Sequence, residues 1–130
     1  MPRGYSKERT SVHNLHYHFI WCPKYRKAVL TDDVAERMDE LVRTKADELG
    51  LEVIELAVQP DYIHLFITGN PKLAPNKIIQ QLKGYTSHEL RNEFGNMGLP
   101  SLWTRSYFVS SVKEIPNQIV EEYIEDQIGE

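Results

Sequence analysis

The sequence predicts an α+β fold, a ferredoxin-like βαββαβ sandwich with one additional helix at its C-terminus. Three observations predict it. Short strand-like apolar runs occur at residues 14–22, 51–59, 62–69 and 102–112. Apolar residues recur at helical spacing between the first and second runs, and again between the third and fourth. A last stretch after Pro116 returns to the helical period. The order βαββαβα, with no internal repeat, makes a split βαβ sandwich of its first six elements. Right-handed crossovers then put the first and third strands in the sheet centre, with two helices over one face. The other face stays open unless the last helix, or a partner, covers it.

Each element has a local reason. In "NLHYHFIWC" (14–22), Tyr17, Phe19 and Trp21 form one apolar face, while His16, His18 and Ile20 form the other. A basic loop, "PKYRKAVL", follows. Thr31 or Asp32 is a candidate N-cap. Val34, Met38, Leu41, Val42 and Leu49 then mark a helix that Gly50 closes. "LEVIELAVQ" (51–59) is β-branched and apolar, Pro60-Asp61 is a turn, and "YIHLFITG" (62–69) returns antiparallel. Asn76 is a candidate cap for a helix over 77–94, whose stripe is Ile78, Leu82, Tyr85, Leu90 and Phe94 and whose soft spot is Gly84. "LWTRSYFVSSV" (102–112) is the fourth strand. The last helix lines up Ile119, Tyr123 and Gln127, with Val120, Ile124 and Ile128 beside them.

The 130 residues form one domain, with a flexible N-terminus expected over 1–11 and the C-terminal helix over 115–130. Apolar residues at 41% and charged residues at 26% are ordinary for a globular chain. The single cysteine, Cys22, excludes a disulfide framework and a cysteine-rich zinc site. The polar start lacks a signal-peptide core, and no apolar run approaches the roughly 20 residues of a membrane span. A cytoplasmic location without a membrane partner is therefore expected.

The net charge of −4 conceals a division. Segment 32–50 holds seven acids and three bases, and segment 114–130 holds six acids and no base. The remainder keeps six of the 19 acids and 12 of the 15 bases, a balance of +6. Fields act over a Debye length of about 8–10 Å, so a basic face can coexist with an acidic total. Two solvated acidic helices are the bland alternative.

Chemistry gathers on the 62–67 strand. Ile63, Leu65 and Ile67 are uniformly apolar and should face the covering helices, which turns Tyr62, His64 and Phe66 to the open side. His16 and His18 face the same side of the neighbouring strand. A lone strand histidine is most often structural; its placement on an open face makes a ligand role an equal contender. On the last helix, Tyr123 and Gln127 stand four residues apart on one face. An activated phenol is a nucleophile, and a glutamine carbonyl can ligate a hard cation. Most tyrosines on amphipathic helices only pack, so the spacing alone carries little.

The blocks "YHFIWCPKYRKAVL", "VQPDYIHLFI", "LKGYTSHELRNEF", "LWTRSYFVSSV" and "VEEYIEDQ" occur in order over residues 12–128. Together they resemble the single-tyrosine HUH transposases, the TnpA type of the insertion sequence two-hundred group. The resemblance implies a ferredoxin-like homodimer that acts on single-stranded DNA and recognises hairpins near the ends of a mobile element. It implies that Tyr123 attacks a phosphate, leaving a 5′-phosphotyrosine and a free 3′-OH. It implies a divalent metal, Mg²⁺ or Mn²⁺, held by a histidine pair and a glutamine; His64 matches the second histidine and Gln127 the glutamine. The tyrosine helix of one subunit can complete the site of the other. No nucleotide cofactor is needed, because the phosphotyrosine link preserves the phosphodiester energy.

The sequence departs from the pattern at Tyr62, where the family has the first histidine. A neutral phenol is a poor ligand for either metal. Three readings stay open: His18 or a water replaces the ligand; the site is crippled and the chain only binds single-stranded DNA or hairpins; or the change is incidental. Lys24, Arg26 and Lys27 around Tyr25 suit phosphates and stacked bases, and Lys83, Arg91 and Arg105 extend the basic set. Each alone is more often a solvated charge. An RNA-binding module on the same fold is a weaker reading, since such sheets present paired aromatics with basic residues.

Overall fold

Alternation along the strands decides which side chains share the core. The computed structural model describes residues 6–8, 11–13 and 15–127, the first two segments by their backbone. Strands β1 (Ser6–Glu8) and β2 (Ser11–His13) pair as a short antiparallel ribbon. This ribbon lies in and beside the segment expected to be a flexible N-terminus. The main sheet contains β3 (His16–Trp21), β4 (Val53–Gln59), β5 (Tyr62–Thr68) and β6 (Phe108–Ser110) in the order β4-β5-β3-β6. All three pairings are antiparallel, and β3 and β5 are central. This is the predicted ferredoxin-like arrangement.

Helices α1 (Asp32–Glu48) and α2 (Pro75–Phe94) cover one face. They pack Met38, Leu41, Ile78 and Leu82 onto Phe19, Trp21, Ile63, Leu65 and Ile67, all at most 1% exposed. Period-2 burial along β5 confirms the expected facing: Ile63, Leu65 and Ile67 are buried, and Tyr62, His64 and Phe66 are half-buried on the other side. Cys22 and Trp103 belong to the interior, with the indole Nε1–H donating to Thr86 Oγ1 at 3.1 Å.

Helix starts differ slightly from expectation. Thr31 is the N-cap of α1 but makes no side-chain cap bond. Pro75 takes the first position of α2, which its fixed φ and missing N–H favour. Gly50 follows α1 with φ 72°, the left-handed conformation expected of a C′ glycine. Gly84 sits inside α2 with open space where a Cβ would be. Gly84→Ala is therefore expected to stabilise the fold by about 0.5–1 kcal/mol. A denaturant titration showing no gain would contradict this.

The fourth strand is much shorter than predicted. Trp103 meets the chain beyond β3 only in an isolated antiparallel bridge to Pro23. The Lys83 ammonium bonds the carbonyls of Thr104, Arg105 and Ser106 at 2.7, 3.3 and 3.2 Å. Those carbonyls meet an ammonium instead of a neighbouring strand, so regular pairing with β3 begins only at Phe108.

Helix α3 (Asn117–Asp126) lies on the second face of its own sheet. Val120 and Ile124 pack on Ile20, joined by Tyr62, Phe108, Ile115 and Tyr123. Of the two covers the sequence allowed for this face, the last helix or a partner, the helix supplies part of it.

Candidate functional site

Strand β5 holds His64 beside Ile20 of β3 on one side and Ala57 of β4 on the other. An open cavity of about 430 Å³ borders it, lined by Glu55, Leu56, Ala57, His64 and Phe66. His18, 6% exposed, reaches His64 from the neighbouring strand. Its ring stacks on Phe66 with centroids 4.1 Å apart and 5° between planes. His18 Nδ1 and His64 Nε2 are 2.9 Å apart, and His18 Nε2 lies 3.0 Å from the Lys113 carbonyl.

Those partners fix the protons. A carbonyl only accepts, so His18 Nε2–H donates to Lys113. With both rings neutral, His18 Nδ1 then accepts from His64 Nε2–H. The nitrogen of His64 left with a free lone pair is Nδ1. The ring centroids are 5.1 Å apart, close to the nitrogen–nitrogen distance plus two ring radii. The nitrogens therefore point head-on at each other, as in a hydrogen bond. Two ligands on one cation would instead converge at an angle.

Burial pushes the His64 imidazole below its ordinary range, and His18 pushes the same way; Glu55 opposes them. The sign follows directly. An unfolded His64 protonates near pH 6.5, before the folded one does. His64 supports stability above that pH and loses the contribution as pH falls toward the depressed folded value. Between pH 7.5 and 5.5 the wild type should lose more stability than His64→Asn; equal losses in denaturant titrations would remove this account.

Tyr123 stands on α3 with its ring 5.8 Å from Phe108 and its hydroxyl removed from solvent. Gln127, 5% exposed, accepts a 2.7 Å bond at Oε1 from Ser106 Oγ. Phe108 and His64 flank Ile20 from opposite neighbouring strands. The tyrosine and His64 therefore share one sheet face, on either side of Ile20.

A family model for IS200-like transposases matches residues 11–127. The chain belongs to the IS200-like transposase family. This IS200-like transposase is 34% identical to the ISDra2 transposase TnpA of Deinococcus radiodurans over 98% of its own length and 94% of the relative's. It is 26% identical to the IS200 transposase of Salmonella typhimurium, covering 90% of this chain and 82% of the other. Among solved structures, a Deinococcus radiodurans R1 chain described as a transposase superposes with a TM-score of 0.88 at 36% identity, over 94% of this chain and 97% of that one. A tyrosine transposase solved with a REP hairpin superposes at 0.60 with 12% identity, covering 94% and 69%, a likeness of fold.

The family implies a divalent cation, and the donor set of this IS200-like transposase does not fit one as arranged. Tyr62 lies in the apolar cluster with Val120 and Ile124. Both nitrogens of His18 are engaged. The Gln127 carbonyl oxygen is bonded to Ser106. Among the described residues, no three His, Cys, Asp or Glu side chains are grouped to hold a metal. His18 as a replacement ligand, the first reading of Tyr62, thus meets a geometry that occupies it elsewhere.

The basic set also divides. Tyr25 is 53% exposed, with the Lys24 ammonium 5.4 Å from its ring centroid. Arg105 is exposed. Arg91 donates to the Leu99 carbonyl at 3.1 Å, and Lys83 binds the three carbonyls already described. Arg26 bonds Asp61 Oδ2 at 2.7 Å and the Ile124 carbonyl at 3.4 Å. Lys24, Tyr25 and Arg105 face outward, whereas Arg26, Lys83 and Arg91 tie loops to the fold. Neither the His18 relay nor the Ser106–Gln127 bond was legible beforehand. Ser106 carries no sequence signal, and the partner of His18 is a backbone carbonyl.

Proposed function

We propose that this IS200-like transposase binds single-stranded DNA hairpins and cleaves and rejoins the strand through Tyr123. The observation that carries the reading is the placement of Tyr123 on the same sheet face as His64, in a family-matched chain. The ISDra2 and IS200 relatives are transposases, and one protein of this fold was solved with a REP hairpin. The exposed turn with Lys24 and Tyr25 offers a cation and a stacking ring to such a strand.

In the proposed step the Tyr123 oxygen bonds to phosphorus as the bond to the 3′-oxygen breaks. The phenol proton is transferred, by way of solvent, to the departing 3′-oxygen. The strand ends as a 5′-phosphotyrosine and a 3′-OH, and reversal rejoins it. A phenol has an ordinary pKa near 10, so it attacks slowly at neutral pH unless something activates it. Bound Mg²⁺ or Mn²⁺ is part of the reading only once the donor set is repaired at position 62. A homodimer remains part of the proposal as well.

A second reading, hairpin binding without cleavage, is favoured by one observation: Tyr62 is packed beneath α3 and unsuited to a cation. Peptide mapping after incubation with a panel of labelled hairpin strands separates the two. A phosphonucleotide on the peptide containing Tyr123 supports cleavage. Tight hairpin binding without modified peptide supports the second reading.

A further inference from the structure

Helix α3 carries four acids, Glu121, Glu122, Glu125 and Asp126, and no base. Three of them, Glu122, Glu125 and Asp126, lie in its C-terminal half, where the helix dipole already disfavours negative charge. Its apolar contact is small, chiefly Val120, Tyr123 and Ile124. A helix of ten residues with so little burial needs tethers from outside. Three are present. His18 donates to the Lys113 carbonyl before the helix, Ser106 donates to Gln127 after it, and Arg26 donates to the Ile124 carbonyl in its last turn.

Arg26 differs from the other two. It is the one base among the described residues lining a groove of about 440 Å³ between α3 and the β4–β5 turn, which Asp61, Glu121 and Glu125 also line. Its Nε–H bond to Asp61, at 2.7 Å, aims the guanidinium, and Nη1 reaches Ile124. The Ile124 carbonyl already accepts the Gln127 N–H at 3.1 Å, so Arg26 takes its second lone pair. The backbone is shaped for this reach. Tyr25 and Arg26 have φ of 59° and 52°, two successive non-glycine residues in the left-handed region. Such strain persists only where surrounding bonds hold it.

We propose that Arg26 is a positioning residue for the Tyr123 helix, tying the exposed turn at residues 24–27 to the acidic end of α3. Its guanidinium, shared with Asp61, brings a positive charge to that end and fixes the helix, and with it Tyr123, over the sheet. The catalytic consequence rests on the reading of Tyr123 as nucleophile; the tether does not. A lysine cannot replace it, because one ammonium lacks the planar fork that spans Asp61 and Ile124 together.

The test compares Arg26→Ala, Arg26→Lys and Asp61→Asn in the full chain. Hydrogen exchange is read separately for 117–127 and for the β3 and β5 core, which reports whether each variant is folded. Exchange in 117–127 should rise about tenfold in Arg26→Ala and in Arg26→Lys, and by less in Asp61→Asn, with core protection kept. The single-turnover rate of adduct formation should fall in both Arg26 variants, while Arg26→Lys keeps near-normal hairpin affinity. If Arg26→Ala does not fold, Arg26→Lys decides. Unchanged exchange in 117–127, with hairpin affinity lost in alanine and rescued by lysine, would make Arg26 a phosphate contact and overturn the proposal. A wild type that forms no adduct would refute the nucleophile reading while the exchange result still judged the tether.

Discussion

Tyr123→Phe should abolish the covalent protein–DNA adduct, a loss of at least about 10⁴-fold in single-turnover rate. The change removes one oxygen and leaves the ring against Phe108 and within the Ile20 cluster. The fold and the hairpin affinity should therefore survive nearly intact, so the loss would be chemical. Retained adduct in Tyr123→Phe, checked on a denaturing gel, would assign the nucleophile elsewhere.

Tyr62→His has the second largest expected effect, and it acts in two directions. It restores a nitrogen ligand beside His64, two residues along the same strand and on the same face. Changes around a metal's own ligands typically alter affinity or activity about 10–100-fold, and a missing ligand should matter at least as much. Adduct formation with Mn²⁺ should rise by that factor or more. The same change replaces a phenol ring with a smaller, more polar imidazole in the cluster that seats Val120 and Ile124. A stability loss of about 1–2 kcal/mol is expected, concentrated in α3. Calorimetric Mn²⁺ binding in the variant and none in the wild type would match this account. Equal binding in both would show that Tyr62 does not limit the site.

Much of the scaffold was legible because strand and helix periods differ. Ile63, Leu65 and Ile67 declared the core face of β5, and that placed His64 on the other face. Central positions for β3 and β5 followed from the element order. The rest depended on backbone groups that a sequence does not display. Lys83 and Arg91 read as part of a basic set for DNA, and their donors meet the carbonyls of Thr104 and Leu99. Arg26 read as a phosphate contact, yet it bonds Asp61 and α3. His18 was seen on the correct face, but its bond to the Lys113 carbonyl depends on the path of a linker with no periodic signal. The β6 strand shortened because the Lys83 ammonium takes the carbonyls of Thr104, Arg105 and Ser106. The docking of α3 on its own sheet was left open because its amphipathic stripe fits any apolar surface.

The most direct test of strand cleavage through Tyr123 is a denaturing gel of labelled hairpin strand incubated with Mn²⁺ and the wild type, Tyr62→His or Tyr123→Phe. The account predicts a faint slow-migrating covalent band with the wild type, a strong one with Tyr62→His and none with Tyr123→Phe. No band from either the wild type or Tyr62→His, with hairpin binding retained, would contradict it and leave a DNA-binding protein.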